Sequence, residues 1–151
     1  MNGGNALAEL EAAAEILMGP PHLVAQEQRQ QAEQIFLNFR KTKSPYQMCK
    51  QLLEQSKNNY VLFEASGLLK EGLIREWHEL SASDITQLRS YLLQYVVNNP
   101  LLSAYVRERI VQVTHVLEHY NFLPSPFPIS IGFRKKLLYF FLFNNKMIIS
   151  D

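Results

Sequence analysis

His115 and His119 stand four residues apart with Glu118 between them, a spacing that sets two metal ligands on one face of a helix. No third ligand accompanies them, and no paired Cys/His spacing of a structural zinc site occurs, so they read as surface histidines. His22 and His78 fall in or near links, again without an evident partner. Cys49 is the single cysteine; beside Met48, Leu52 and Leu53 its thiol reads as a small hydrophobe rather than a nucleophile. The chain has no G-x-x-x-x-G-K-[ST] loop, no G-x-G-x-x-G and no G-x-S-x-G, which leaves nucleotide hydrolysis, dinucleotide binding and serine hydrolysis without support. No catalytic residue, metal or cofactor is predicted. The expectation is a binding module and not an enzyme.

Charge narrows the class of partner. Fifteen Lys and Arg face 14 Asp and Glu, a net charge of +1, so no global field calls for a polyanion and no nucleic-acid partner is expected. A hydrophobic content of 47% over 151 residues supplies enough apolar side chain for one core. The opening Met1-Asn2-Gly3-Gly4 lacks the blocks of a signal peptide, and one cysteine cannot form an internal disulfide, so a reducing compartment is expected.

The elements that would position any binding side chain are helices. Clusters of breakers at Gly19-Pro20-Pro21, Ser44-Pro45, Lys57-Asn58-Asn59, Ser81 to Asp84 and Asn98-Asn99-Pro100 divide the chain into six pieces, near 5–18, 24–42, 45–56, 59–79, 83–98 and 101–120. In the second piece Ala32, Ile35, Phe36 and Phe39 gather on one face. In the sixth, Leu102, Val106, Ile110, Val113, Leu117 and Tyr120 advance by fours and threes, with Arg107, Glu108, Arg109, Gln112 and Glu118 on the wet side. Ser44, with Pro45 in the first turn and Gln47 behind it, predicts a capped start for the third helix. Ser83-Asp84 predicts the start of the fifth. Gly67 and Gly72 inside the fourth each cost about 1 kcal/mol against Ala, which predicts close approach by a neighbouring element. Trp77 is expected to anchor that helix's end.

Taken in pairs, the pieces repeat with a period near the ~40 to 47 residues of HEAT units. The predicted fold is all-α: about three HEAT-like helix pairs over residues 1–120, stacked so that the second helix of each pair lines one surface. A closed six-helix bundle is the alternative.

The fourth helix, Ala65-Ser66-Gly67-Leu68-Leu69-Lys70-Glu71-Gly72-Leu73-Ile74-Arg75-Glu76-Trp77, resembles the A-A-x-x-L-K-N-x-I-x-x-x-W pattern near the N-terminus of the importin-beta, or karyopherin, transport receptors. Ala65, Leu69, Lys70 and Trp77 match, Leu73 is a conservative stand-in, and Ser66 and Glu71 depart. The block from Glu27 to Arg40 is similar to the R-x-x-A-E-x-x-L-x-x-F element of the same domain. With Ser44-Pro45, Cys49 and the Ile74-Arg75-Glu76-Trp77 ending, the order looks most like the exportin-4 branch of nuclear export receptors.

The resemblance implies an N-terminal domain whose second, fourth and sixth helices grip the small GTPase Ran in its GTP form. Gln30, Glu33, Lys70, Glu71, Arg107 and Glu108 are the candidate Ran-facing residues. Ala32, Phe36, Phe39, Leu69, Leu73 and Trp77 are the structural residues of the shared pattern. It further implies shuttling between nucleus and cytoplasm. Export cargo and nuclear pore components would be partners only of a full superhelix.

After Tyr120 the pattern changes. Residues 121–151 carry Pro124, Pro126 and Pro128, the apolar run Leu137 to Phe143, and four basic residues against Asp151 alone. The run is far short of the ~20 residues of a membrane span. The expectation is a divergent tail, disordered or capping the last repeat, on a fragment or truncated isoform of such a receptor. The other reading is a non-transporting helical adaptor whose tail contacts a membrane or partner.

Overall fold

The breaker clusters become the links of an all-α stack. A computed structural model describes residues 3–121; the expectations for the tail lie outside the described residues. The helices are α1 (Gly3–Met18), α2 (Gln26–Arg40), α3 (Tyr46–Gln55), α4 (Asn59–Glu76), α5 (Ala82–Asn98) and α6 (Ala104–Asn121), with 3-10 turns at Pro21–Leu23 and Trp77–Glu79. No strand occurs among the described residues, and no helix of theirs is long and apolar enough to cross a membrane.

Successive helices pack as pairs, α1 on α2, α3 on α4 and α5 on α6, and the pairs stack through α2, α4 and α6 on one layer and α1 against α3 on the other. On that second layer Tyr91 of α5 places its hydroxyl 3.2 Å from the carbonyl oxygen of Lys50 and 3.1 Å from Glu54 Oε1, both on α3. This is the HEAT-like order of three pairs, in which each pair buries its apolar stripe against the next. One continuous core runs through it, from Leu10 and Ala14 through Phe36, Leu53, Leu69 and Leu73 to Leu92, Ile110 and Leu117. Central α4 meets α2, α3 and α6, so it is apolar or tightly packed on nearly every side: Val61, Leu62, Ala65, Leu68, Leu69, Gly72 and Leu73 are all buried.

Local sequence sets the helix starts, though not always where spacing predicts. Asn58 caps α4, its side chain accepting the N–H groups of Tyr60 (2.9 Å) and Val61 (3.3 Å). For α5 the cap is Ser81 rather than Ser83: Ser81 Oγ accepts the N–H of Asp84, and the Asp84 carboxylate accepts the N–H and hydroxyl of Ser81. These bonds to Ser81 hold the Asp84 carboxyl below its ordinary range.

The capping box expected at Ser44 does not form. Pro45 is the N-cap of α3, without a side-chain cap bond, and Ser44 has φ of 44°, an uncommon conformation for a residue with a side chain. The competing partner is Glu76 at the end of α4, whose two carboxylate oxygens both accept the Ser44 N–H at 3.0 Å. A buried carboxylate is a stronger acceptor than any group the α3 first turn offers.

Gly72 sits where α4 crosses the start of α3. A Cβ there would lie 2.9 Å from Pro45 Cγ and 3.2 Å from its Cδ, against a ring that cannot swing away. Gly72→Ala should therefore lower stability by about 1–2 kcal/mol, overpacking outweighing the helix propensity alanine gains. Urea unfolding would read this, and a gain in stability would show the contact to be yielding.

α4 also ends earlier than periodicity predicts. Trp77 is the C-cap of α4 and at the same time the first residue of the 3-10 turn, and it packs partly buried against the core, as an anchor of the helix end.

Candidate partner-binding groove

The stacking of α2, α4 and α6 leaves a groove of about 450 Å³ lined by Arg40, Phe63, Glu64, Gly67, Leu68, Glu71 and Arg109. Each wall follows from helical spacing. Buried Phe36 and Phe39 turn α2 so that Arg40, one residue on, reaches across to α4. There its Nη2 and Nε donate to Glu64 Oε1 at 2.7 Å and Oε2 at 2.9 Å, a fork-on-carboxylate pair. The hydrogen bond to Glu64 raises the Arg40 guanidinium further above its ordinary value, against the cost of burial. Tyr60, next to this pair and edge-on to Phe36 at 4.9 Å, has its hydroxyl pushed up by burial and then by the Glu64 charge.

The α6 wall is built differently. Val106, Ile110, Val113 and Leu117 are buried, which leaves Tyr105, Arg109 and Gln112 on the flank toward α4. The Arg109 guanidinium lies over the Phe63 ring at 4.2 Å from its centroid, and Tyr105 meets the same ring edge-on at 5.6 Å. A Cβ at position 67 would stand 3.3 Å from Arg109 Nη1, so Gly67 gives the guanidinium its place against α4. Lys70 Nζ donates to Gln112 Oε1 at 3.4 Å. Its ammonium is held below the ordinary lysine value, first by burial and then by the charge of Arg109, with Glu71 partly offsetting them.

The structure distributes the six sequence candidates unevenly. Glu71 lines the groove and Lys70 borders it. Gln30 and Glu33 are exposed on α2 and Glu108 on α6. Arg107 is engaged elsewhere, its Nη2 donating at 3.0 Å to the carbonyls of Pro100 and Leu102 in the link before α6. Of the structural residues, Ala32, Phe36, Phe39, Leu69 and Leu73 are buried. Sequence reasoning passed over Arg40, Phe63, Glu64 and Arg109. The signal for Arg109 was present in its spacing, three after Val106 and four before Val113, which places it beside the seam rather than on the wet side.

Other chemistry is scarce. His115 Nδ1 lies 3.6 Å from Glu118 Oε2, and among the described residues no three His, Cys, Asp or Glu come together as a metal site. Burial pushes the Cys49 thiol up to about 12, which keeps it protonated and unreactive at neutral pH. Ser66, one of the departures noted above, is fully buried, and its hydroxyl donates to the Leu62 carbonyl at 2.7 Å, so the polar group sits in the core at little cost.

Residues 32–98 match the family model of the importin-beta N-terminal domain. The match spans most of α2 and all of α3, α4 and α5, and it supports membership of the importin-beta, or karyopherin, superfamily.

Proposed function

We propose that this chain is a member of the importin-beta superfamily and binds the small GTPase Ran in its GTP form, as the N-terminal HEAT-repeat region of an exportin-4-like nuclear export receptor. The observation that carries the reading is the overlap of the family match with two of the groove's three walls: residues 32–98 include α4 and the part of α2 that holds Arg40 and Glu33, and α6 follows the match.

The groove has the anatomy of a protein-docking surface. Phe63 and Leu68 give it apolar lining, with Tyr105 edge-on to the Phe63 ring, and Arg40, Glu64, Glu71 and Arg109 line it with charge of both signs. Such a site binds by complementarity and catalyses nothing; any GTP belongs to the partner. In a complete receptor, Ran-GTP and export cargo would favour each other's binding through one shared superhelix, and shuttling between nucleus and cytoplasm would follow from GTP hydrolysis on Ran. Residues 1–120 are the unit assigned to Ran, and cargo or nuclear pore contacts would require further repeats.

The test is a titration of the full chain against Ran loaded with a non-hydrolysable GTP analogue and against Ran-GDP. The expected result is a preference of about tenfold or more for the GTP form, about 1.4 kcal/mol or more. Absence of binding to either form, with helicity and cooperative unfolding intact, would overturn the reading.

A further inference from the structure

The cations of the groove are not equally provided for. Arg40 is matched by Glu64. Arg109 has an aromatic face beneath it and Lys70 an amide oxygen beside it, but neither forms an ion pair among the described residues. The two heads lie along the same α4–α6 seam, the Arg109 guanidinium between Phe63 and Gly67 and the Lys70 ammonium at Gln112. Arg109 rests on Phe63, two helical turns before Lys70 on α4, and Lys70 reaches Gln112, one turn after Arg109 on α6. Two like charges drawn together and partly desolvated repel one another, and an anion relieves both costs at once.

We infer that the docked protein presents an acidic side chain to this seam, its carboxylate seated between the Arg109 guanidinium and the Lys70 ammonium. Stacking on Phe63 fixes the plane of Arg109 and leaves its N–H edge as a preset fork for a carboxylate. Gly67 is part of the device, because a Cβ at that position would stand 3.3 Å from Arg109 Nη1 and shift the guanidinium by a few tenths of an ångström. The identity of the docked protein rests on the Ran reading; the chemistry of the seat does not.

The experiment uses the full chain carrying Arg109→Gln, Arg109→Lys, Lys70→Gln or Gly67→Ala, each titrated with GTP-analogue-loaded Ran at low and physiological salt. Arg109→Gln should weaken binding about 30-fold and flatten its salt dependence, and Arg109→Lys should recover only a small part, since lysine cannot stack and fork. Gly67→Ala should weaken binding without loss of thermal stability, which a merely structural role for the glycine would not give. If wild type binds and Arg109→Gln stays within about twofold of it, the seat is overturned while the Ran reading stands. If wild type binds neither form of Ran, that reading fails, and the seat is read alone by NMR with a hexaglutamate peptide. The Arg109 Nε–Hε resonance should then shift on titration, less so in Lys70→Gln. An unmoved resonance would overturn the seat.

Discussion

Phe36→Ala is expected to remove about 3–5 kcal/mol of stability, a large share of the ~5–15 kcal/mol a domain of this kind possesses. The ring is 1% exposed and stands at the junction of the first two helix pairs. It meets Phe39 of its own helix edge-on at 6.4 Å and Tyr60 of α4 edge-on at 4.9 Å. The loss therefore combines three contributions: the transfer of a large apolar group, the cavity left in a core whose other members cannot all collapse onto it, and two aromatic pairs. Leu37→Ala is the control, because that side chain is 45% exposed and its truncation should cost within about 0.5 kcal/mol. Urea unfolding monitored by circular dichroism measures both. Should the alanine variant fail to fold, Phe36→Leu retains apolar volume and should lose less, about 1–2 kcal/mol. Equal costs at positions 36 and 37 would refute the packing described.

The same pair of residues shows what the sequence made legible. Phe36 and Leu37 are both apolar, and only the 3.6-residue period tells which one faces inward. That period, punctuated by Pro, Gly and Asn clusters, was enough to place six helices and their pairing, because each decision is local and the links are short. The interactions that bridge distant segments were not legible. Glu64 and Glu76 are charged residues on an apolar helix, and both are buried. Nothing in their neighbourhood in sequence announces that Arg40 and Ser44, 24 and 32 residues earlier, would be their partners. The Ser44 cap failed for that reason: a local rule lost to a carboxylate at the far end of the paired helix α4. Arg107 and Arg109 illustrate the same limit within one helix. The spacing sets Arg109, unlike Arg107, beside the apolar seam of α6, but that a groove opens along that seam depends on where α4 lies, a tertiary fact.

Glu76→Ala should cost about 3–4 kcal/mol, more than most charge deletions, because the carboxylate is 6% exposed by residue and organises the link between the first two repeats. Besides the Ser44 N–H, its Oε2 accepts the Tyr46 hydroxyl at 3.3 Å, and Arg75 lies 3.4 Å from its Oε1. Arg75 in turn donates to the carbonyls of Thr42 at 2.6 Å and Arg40 at 3.4 Å, so the two neighbouring side chains at the end of α4 grip the exit of α2 and the entry of α3 together. Burial, and after it the Glu76 charge, holds the Tyr46 hydroxyl well above the ordinary tyrosine value, and a hydroxyl that keeps its proton is the donor this site requires. Removing the carboxylate leaves the Ser44 N–H and Tyr46 O–H without their acceptor and removes the reason for Ser44 to remain at φ of 44°. Glu76→Gln keeps one oxygen to accept the Ser44 N–H but turns an N–H₂ group toward the other donor, so it should lose about half as much. The coupling is measurable by a double-mutant cycle: Tyr46→Phe should cost about 1 kcal/mol in the wild-type background and almost nothing in Glu76→Ala. If the two costs are the same, the hydroxyl and the carboxylate act independently, and the link is held by Arg75 and the packing of Pro45 on Gly72 instead.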